Sequence, residues 1–306
     1  MASKQSLRSD KLSYHTSVLL KEATDLLQVK SGRKYIDATL GGGGHTETIL
    51  KLGGRVLGVD FDKEAINHAL LKVKSPKLKV VQGNFKDIDK IALLEGFEKV
   101  AGVIFDLGVS SSQIEKAERG FSFQKEGPLD MRMNQDEKSP TAADILNLAG
   151  KDELYKIFTE FGEEPRARVL ASVAVRAREI KAFRTTGDLL KIIKDVYGIK
   201  GEISDKTKAS ISKRVFQALR VVVNSELENL KESLPKALRL LEERGRLVVI
   251  TFHSLEDRIV KEIFLDFENR NLGKIITKKP IIPGEAEQNI NRRSRSAKLR
   301  VFEKYV

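Results

Sequence analysis

The stretch Arg33-Lys-Tyr-Ile-Asp37-Ala-Thr-Leu-Gly41-Gly-Gly-Gly44-His45 decides the fold. Arg33–Leu40 reads as a short buried strand. The four glycines after it let the backbone turn sharply and approach a ligand without Cβ clashes. His45–Leu52 then reads as a helix. A strand, a glycine turn and a helix in that order open a βαβ unit.

Working outward, Arg55–Asp60, Lys77–Gln82 and Val100–Leu107 read as further strands, with helices Asp62–Val73 and Lys86–Leu94 between them. Right-handed crossovers then build an open α/β sheet, doubly wound and Rossmann-like. After Leu107 the rhythm changes. Gly120–Met133, rich in Gly, Phe, Pro and Met, reads as loop. Helical patterns follow at Thr141–Leu148, Lys151–Phe161, Glu164–Phe183 and Thr186–Tyr197, the last with Thr186 as its cap, and then at Lys206–Asn224 and Glu226–Glu243. Strand character returns at Arg246–Phe252. The next helix starts with Ser254 as its expected cap, with Asp257 three residues on as the capping-box partner. Lys274–Thr277 and Lys298–Tyr305 are expected to pair antiparallel at the sheet edge. The organisation predicted is an α/β domain in two parts, 1–112 and 206–306, interrupted by an all-helical insert, 113–205.

Composition bounds the function. The chain has 306 residues, 41% hydrophobic and 32% charged, a soluble globular balance. No apolar run approaches the roughly 20 residues of a membrane span. The first 15 residues lack the apolar core of a signal peptide. Cysteine is absent, which excludes disulfides, thiolate metal sites and cysteine nucleophiles. A cytoplasmic location is expected. Lys and Arg number 55 against 43 Asp and Glu, a net charge of +12, and the isoelectric point is near 9.6. That excess suits a polyanion such as nucleic acid. No metal site is expected, because His15, His45, His68 and His253 show no close ligand spacing.

The glycine loop admits two cofactors. A dinucleotide fingerprint wants G-x-G-x-x-G; Gly41-x-Gly43 fits, but Thr46 occupies the third position. Alternatively, Asp37-Ala-Thr-Leu-Gly41-Gly-Gly43 resembles the acidic-x-G-x-G-x-G loop of class I methyltransferases, with Thr39 in place of the first glycine. A carboxylate just before the loop suits an aminium group better than a pyrophosphate. Asp60 ends the second strand about 20 residues after Gly41, where a carboxylate bridges two ribose hydroxyls; both cofactors carry such a ribose. Phe85 follows the third strand, Asp106 ends the fourth, and Gln113 lies just beyond. All these groups fall at the carboxyl ends of strands, where open α/β sheets bind ligands.

Seven motifs then carry a resemblance. They are Tyr14-His-Thr-Ser-Val-Leu-Leu-Lys-Glu22, Asp106-Leu-Gly-Val-Ser-Ser-Ser-Gln113, Arg119-Gly-Phe-Ser-Phe123, Gly127-Pro-Leu-Asp-Met-Arg-Met133, Arg214-Val-Phe-Gln-Ala-Leu-Arg220 with Val223-Asn-Ser-Glu-Leu227, Phe252-His-Ser-Leu-Glu-Asp-Arg258, and Arg293-Ser-Arg-Ser-Ala-Lys-Leu-Arg300. Together they resemble the bacterial small-subunit (16S) rRNA (cytosine-N4)-methyltransferase family, the RsmH or MraW type, over nearly the whole chain. The resemblance implies a class I methyltransferase domain with a helical insert, S-adenosyl-L-methionine as donor, and a cytidine in the decoding region of 16S rRNA, on the 30S subunit, as acceptor. It implies cofactor contacts at Gly43, Gly44, His45, Asp60, Phe85, Asp106 and Gln113, beside Asp37 and Gly41 from the loop itself. Asn291-Arg292 departs from the family's usual Asn-Pro.

Cytosine N4 is a poor nucleophile, because its lone pair is delocalised into the ring. The protein must align it and accept its hydrogens; Asp106 is the candidate. The Pro-Pro-aromatic turn that many amino-methyltransferases place after the fourth strand is missing, so Phe121 and Phe123 are the candidates for stacking on the base. His253 ends the fifth strand and should face the cleft. Arg214, Gln217 and Asn224 share a helix face and are read as a substrate contact. Arg293 and Arg295, with Arg292, Lys298 and Arg300, form a basic run for phosphate, and Arg166, Arg168, Arg176, Arg178, Lys181 and Arg184 add charge in the insert. The oligomer is expected to be a monomer or homodimer. Two other readings are a small-molecule methyltransferase and a non-catalytic RNA-binding assembly factor with a vestigial cofactor site.

Overall fold

The structure, a computed structural model, describes residues 17–199 and 205–305. Tyr14, His15 and Thr16 of the opening motif, and the stretch read as lacking a signal peptide, lie outside the described residues.

The chain first alternates helix and strand: α1 (Leu20–Leu27), β1 (Lys34–Asp37), α2 (Gly44–Lys51), β2 (Arg55–Asp60), α3 (Lys63–Lys72), β3 (Leu78–Gln82), a 3-10 turn (Phe85–Asp87), α4 (Ile88–Glu95) and β4 (Val100–Asp106). Helices then dominate: α5 (Ser111–Glu115), α6 (Ala142–Leu148), α7 (Lys151–Glu160), α8 (Ala167–Ile180), α9 (Thr186–Tyr197), α10 (Asp205–Val223) and α11 (Glu226–Leu240). The sheet resumes with β5 (Leu241–Thr251), α12 (Ser254–Asn269), β6 (Gly273–Ile275), α13 (Glu285–Ile290) and β7 (Lys298–Lys304).

The seven strands run in the order β3-β2-β1-β4-β5-β7-β6. β1 to β5 are parallel; β7 is antiparallel to β5, and β6 to β7. This is the open, doubly wound sheet expected from the sequence, and its antiparallel edge is the one expected. Strands buried on both faces read as apolar runs, as Val103-Ile-Phe105 and Leu247-Val-Val-Ile250 do. On one face Phe105, Leu247 and Val249 pack with Leu230, Leu234, Phe264 and Phe267 from α11 and α12. On the other, Tyr35, Ile104, Val248 and Ile250 pack with Leu19, Ala23, Leu27 and Ile49 from the α1–α2 layer. Each such aliphatic or aromatic side chain contributes about 1.5–3 kcal/mol on full burial.

A second hydrophobic cluster holds α6 to α9 together through Leu146, Leu154, Phe158, Leu170, Ala174, Leu189 and Ile193. Val215, Phe216 and Leu219 of α10 belong to it too, whereas Val221 packs under the sheet. Helix α10, assigned from sequence to the second α/β segment, therefore bridges the two cores. Other boundaries also move. The cap of α9 is Thr185, whose hydroxyl accepts the Asp188 amide; Thr186 is the first helical residue and is fully buried. The cap of α12 is His253, paired with Glu256, not Ser254 with Asp257. β5 starts at Leu241, ahead of the expected Arg246, ending α11 early; Arg244 there takes a φ of 59°, and the pairing with β4 shifts register between Val100 and Gly102. Among the described residues no helix is long and apolar enough to cross a membrane.

Candidate functional site

Asp60 and Asp106 end β2 and β4, and β5 runs one residue past Asp106's partner Ile250. Around these ends lies a cleft of about 840 Å³, between the sheet and the helical cluster. Gly41, Gly42, Gly44, His45, Asp60, Phe85, Asp106 and Gln113 line one side of it.

The loop is built from β1 outward. The Leu40 amide bonds the Val59 carbonyl, and the Gly43 amide turns back to the Leu40 carbonyl at 2.8 Å. Gly43 has a φ of 74°, and a Cβ there would lie 3.1 Å from Val73. Asp37 is buried. It accepts from the Thr46 hydroxyl at 2.7 Å and from the Thr39 amide at 3.3 Å. Burial raises its pKa, opposed by the nearby His45 and by those two donors. Neither Asp37 nor Gly43 is part of the cleft wall; both shape the loop from behind. The carboxylate expected to meet an aminium group is thus engaged by the loop itself.

Asp60 accepts the Gly41 amide at 2.7 Å and the Asp62 amide at 2.8 Å. Burial pushes its pKa up to about 6, with help from the charges of Asp62 and Asp37 and against the two amides. Two carboxylate oxygens have room for further donors. Phe85 sits edge-on to Phe105, with centroids 5.7 Å apart. Gln113 closes a capping box with Ser110 and donates to Asp62 at 2.7 Å. Asp62 also pairs with the buried Arg119 at 3.0 Å. Arg119 reaches the carbonyls of Arg132 and Met133 in turn. The Gln113 side of the cleft is thereby wired to the loop on the opposite wall.

That opposite wall holds Phe121, Ser122, Phe123, Met131, Met133, Gln217 and Asn224. Phe123 packs edge-on against Phe216, 5.8 Å between centroids. Asn224 accepts the Met133 amide and donates to the Met131 carbonyl, each at 2.8 Å. Gln217 donates to the Phe161 carbonyl. Arg214 does not line the cleft. Its guanidinium is held by Glu164 at 2.9 Å and by Tyr197, inside the helical cluster. The expected polar stripe of three therefore divides.

At the back, Arg220 binds both oxygens of Glu226 at 2.8 Å. His253 lines the cleft, and its Nδ1 accepts the Glu256 amide at 3.4 Å as the cap of α12. Its Nε2 lies 3.2 Å from Glu256 Oε1. Ligand atoms of Glu226, His253 and Glu256 come within 4.8 Å of one another, a trio that histidine spacing alone does not suggest. Arg220 already occupies both Glu226 oxygens, and the Phe252 amide binds Glu256 Oε2 at 2.7 Å. Glu226 and one Glu256 oxygen are thus engaged by protein partners, whereas His253 Nε2 has no hydrogen-bond partner.

Lys213, Arg292, Arg293 and Arg295 form a basic rim. Burial lowers the pKa of Arg293, opposed by Glu115. The rest of the expected run points elsewhere: Lys298 and Arg300 both pair with Asp257, at 3.1 and 2.7 Å. In the helical cluster Arg166 lies over the Tyr197 ring, Arg168 over Tyr155, Arg178 binds the carbonyls of Leu146 and Ala149, and Lys181 pairs with Asp188. Those cations hold the fold.

Asp106 lies at the junction of the two walls. Its amide donates to the Thr39 hydroxyl at 2.6 Å. Its Oδ2 is 3.4 Å from His45 Nε2, and its buried Oδ1 has no hydrogen-bond partner. The cleft thus combines a glycine turn and strand-end carboxylates, one of them with an unpartnered oxygen, with aromatic side chains and a cationic rim.

Residues 12–305 match the model of the MraW methylase family. A protein of Carboxydothermus hydrogenoformans named ribosomal RNA small subunit methyltransferase H is 45% identical, over 95% of this chain and 97% of its own. A protein of the same name from Brevibacillus brevis is 42% identical, over 95% and 98%. Among solved structures, an rRNA methylase from Streptococcus thermophilus is similar, with a TM-score of 0.43 and 12% identity over 94% of each chain.

Proposed function

The chain belongs to the MraW methylase family, and from that premise we propose that it methylates the exocyclic N4 of a cytidine in the decoding region of 16S rRNA, presented on the small ribosomal subunit. The observation that carries the reading is Asp106, a carboxylate with an unspent oxygen set between a cofactor wall and an aromatic, cationic wall.

The residues present fit S-adenosylmethionine. Asp60 would hold the ribose, Phe85 the adenine, and the Gly41–Gly44 turn with the start of α2 the amino-acid end. When bound, the cofactor supplies a methyl group already activated as a sulfonium. What remains for the protein is to align the amine and accept its hydrogens. Asp106 Oδ1 provides the acceptor, Phe121 and Phe123 the faces on which a base stacks, and Asn224 holds the 131–133 turn beside them. A base in a folded rRNA must be unpaired or flipped to enter such a cleft. Lys213, Arg292, Arg293 and Arg295 at its mouth suit the flanking phosphates.

The test is transfer of a labelled methyl group to 30S subunits lacking the modification, beside free cytidine and small amines as competing acceptors. Transfer confined to 30S subunits is expected. Transfer to the small acceptors alone would make this a small-molecule methyltransferase. S-adenosylmethionine binding with transfer to nothing would contradict the reading, as would failure to bind it, the mark of a vestigial site. Loss of turnover in both Phe121→Ala and Phe123→Ala is expected; unchanged turnover in both would remove the stacking role.

A further inference from the structure

His45 is 3% exposed, yet neither ring nitrogen has a hydrogen-bond partner. Buried polar atoms are nearly always satisfied, so an imidazole with both nitrogens unspent calls for an explanation. The charged groups that face it are Asp106 at the end of β4 and Asp37 at the end of β1. Each Asp37 oxygen already has a donor, Thr46 or Thr39. Asp106 differs: Oδ2 lies 3.4 Å from His45 Nε2, and Oδ1 is unpartnered. At 3.4 Å the pair is an ion-pair contact, longer than an ordinary hydrogen bond.

We propose that His45 is a positioning residue for Asp106: Nε2–H holds Oδ2, fixes the rotamer, and leaves Oδ1 for the hydrogens of the incoming amine. This rests on the reading of Asp106 as the N4 acceptor. Asp37 and Asp106 both bring negative charge to His45, which favours the imidazole proton that Nε2 donates to Oδ2. Burial works against that protonation, but the contact with Asp106 and the charges of Asp106 and Asp37 outweigh it, so the imidazole pKa is raised. The step balances without another reactant. The N4 lone pair bonds the methyl carbon, the carbon–sulfur bond breaks with its pair going to sulfur, and N4 releases one proton to Asp106 Oδ1. A purely structural role would instead have His45 fill space behind the loop, with Asp106 indifferent to it.

Two measurements separate these roles. The first needs no RNA: the His45 ring is titrated by NMR in the free protein and in Asp106→Asn. With only four histidines the resonances are assignable. A wild-type midpoint above the ordinary histidine value, falling by about one unit or more in Asp106→Asn, is expected; equal midpoints overturn the pairing. The second is steady-state kinetics of His45→Gln on 30S subunits. The expected result, at saturating S-adenosylmethionine and subunits, is a kcat lowered about 100-fold, in the range of general acid–base effects, with the KM for subunits unchanged. An unchanged kcat at saturation, or a loss fully accounted for by weaker cofactor binding, overturns it. Should the wild type itself fail to methylate, the functional reading falls, while the NMR comparison still decides whether the two residues form a pair.

Discussion

Replacing Asp60 by Asn should separate folding from cofactor binding. Asp60 has a pKa of about 6 in place of 3.8, so at neutral pH the folded chain bears about 3 kcal/mol for keeping it ionised. The sign is opposite to that of a salt-bridged aspartate. The folded value lies above the unfolded one, so the cost is absent below pH 3.8, grows as pH rises through the window to about 6, and is complete above it. The Asp60→Asn variant bears no such cost, but its side-chain amide turns an amino group towards one of the two backbone amides of Gly41 and Asp62. Losing that charge-assisted bond costs about 1.5–3 kcal/mol. The two effects nearly cancel, so the melting temperature should move by only about 2–4 °C. Binding has no such compensation. Two ribose hydroxyls lose an anionic acceptor, worth about 2.7 kcal/mol together, or roughly 100-fold in Kd. Calorimetry with S-adenosylhomocysteine between about pH 5 and pH 8 reads both effects. Wild-type affinity should fall about tenfold per unit below pH 6, and the variant's should be weak and flat. An Asp60→Asn protein that binds as tightly as wild type, or shows the same pH limb, would refute the reasoning.

Three further outcomes follow from the same geometry. Arg119→Met should cost about 3–5 kcal/mol in urea unfolding, because it strands the buried Asp62 carboxylate; a loss below about 1 kcal/mol would show that the network is dispensable. Asn224→Ala leaves the Met133 amide and Met131 carbonyl without their partner, a penalty of about 1–3 kcal/mol; turnover on 30S subunits should fall while S-adenosylhomocysteine affinity holds, and an equal loss in both would place Asn224 on the cofactor side. Arg295→Ala should lower the slope of log affinity for 30S subunits against log salt by about one unit, and an unchanged slope would remove it from the phosphate path.

The centre of the sheet was legible because β2, β4 and the second half of β5 are largely buried and appear in the sequence as apolar runs. Helix caps were legible only to within a residue. Thr185 and Thr186 are chemically alike, and nothing local shows which turns inward; at α12 the cap is a histidine, a residue type that cap preferences do not favour. The meeting of Gly41, Asp60, Phe85 and Asp106 in one cleft was readable because each follows a strand in sequence, so that they fall in register. The opposite wall was less so. Arg214 and Asn224 share a helix face, but Glu164, 50 residues before Arg214, draws the arginine into the helical cluster. The Arg220–Glu226 pair went unseen because Ser225, at a φ of 49°, breaks the helix between them, so no helical spacing connects the two. Asp257, read as the capping-box partner of Ser254, instead neutralises two cations of the C-terminal basic run. Charge patterning along the chain cannot show that, because the partner lies on another element.

The central claim is tested most directly by locating the methyl group. 16S rRNA from 30S subunits lacking the modification, incubated with this protein and S-adenosylmethionine, is digested and sequenced by mass spectrometry, and the modified nucleoside is compared with synthetic standards. The account predicts a single new N4-methylcytidine in the decoding region, absent with Asp106→Ala. A methyl group on cytosine C5, on another base or on ribose, or an Asp106→Ala protein that methylates as well as wild type, would contradict it.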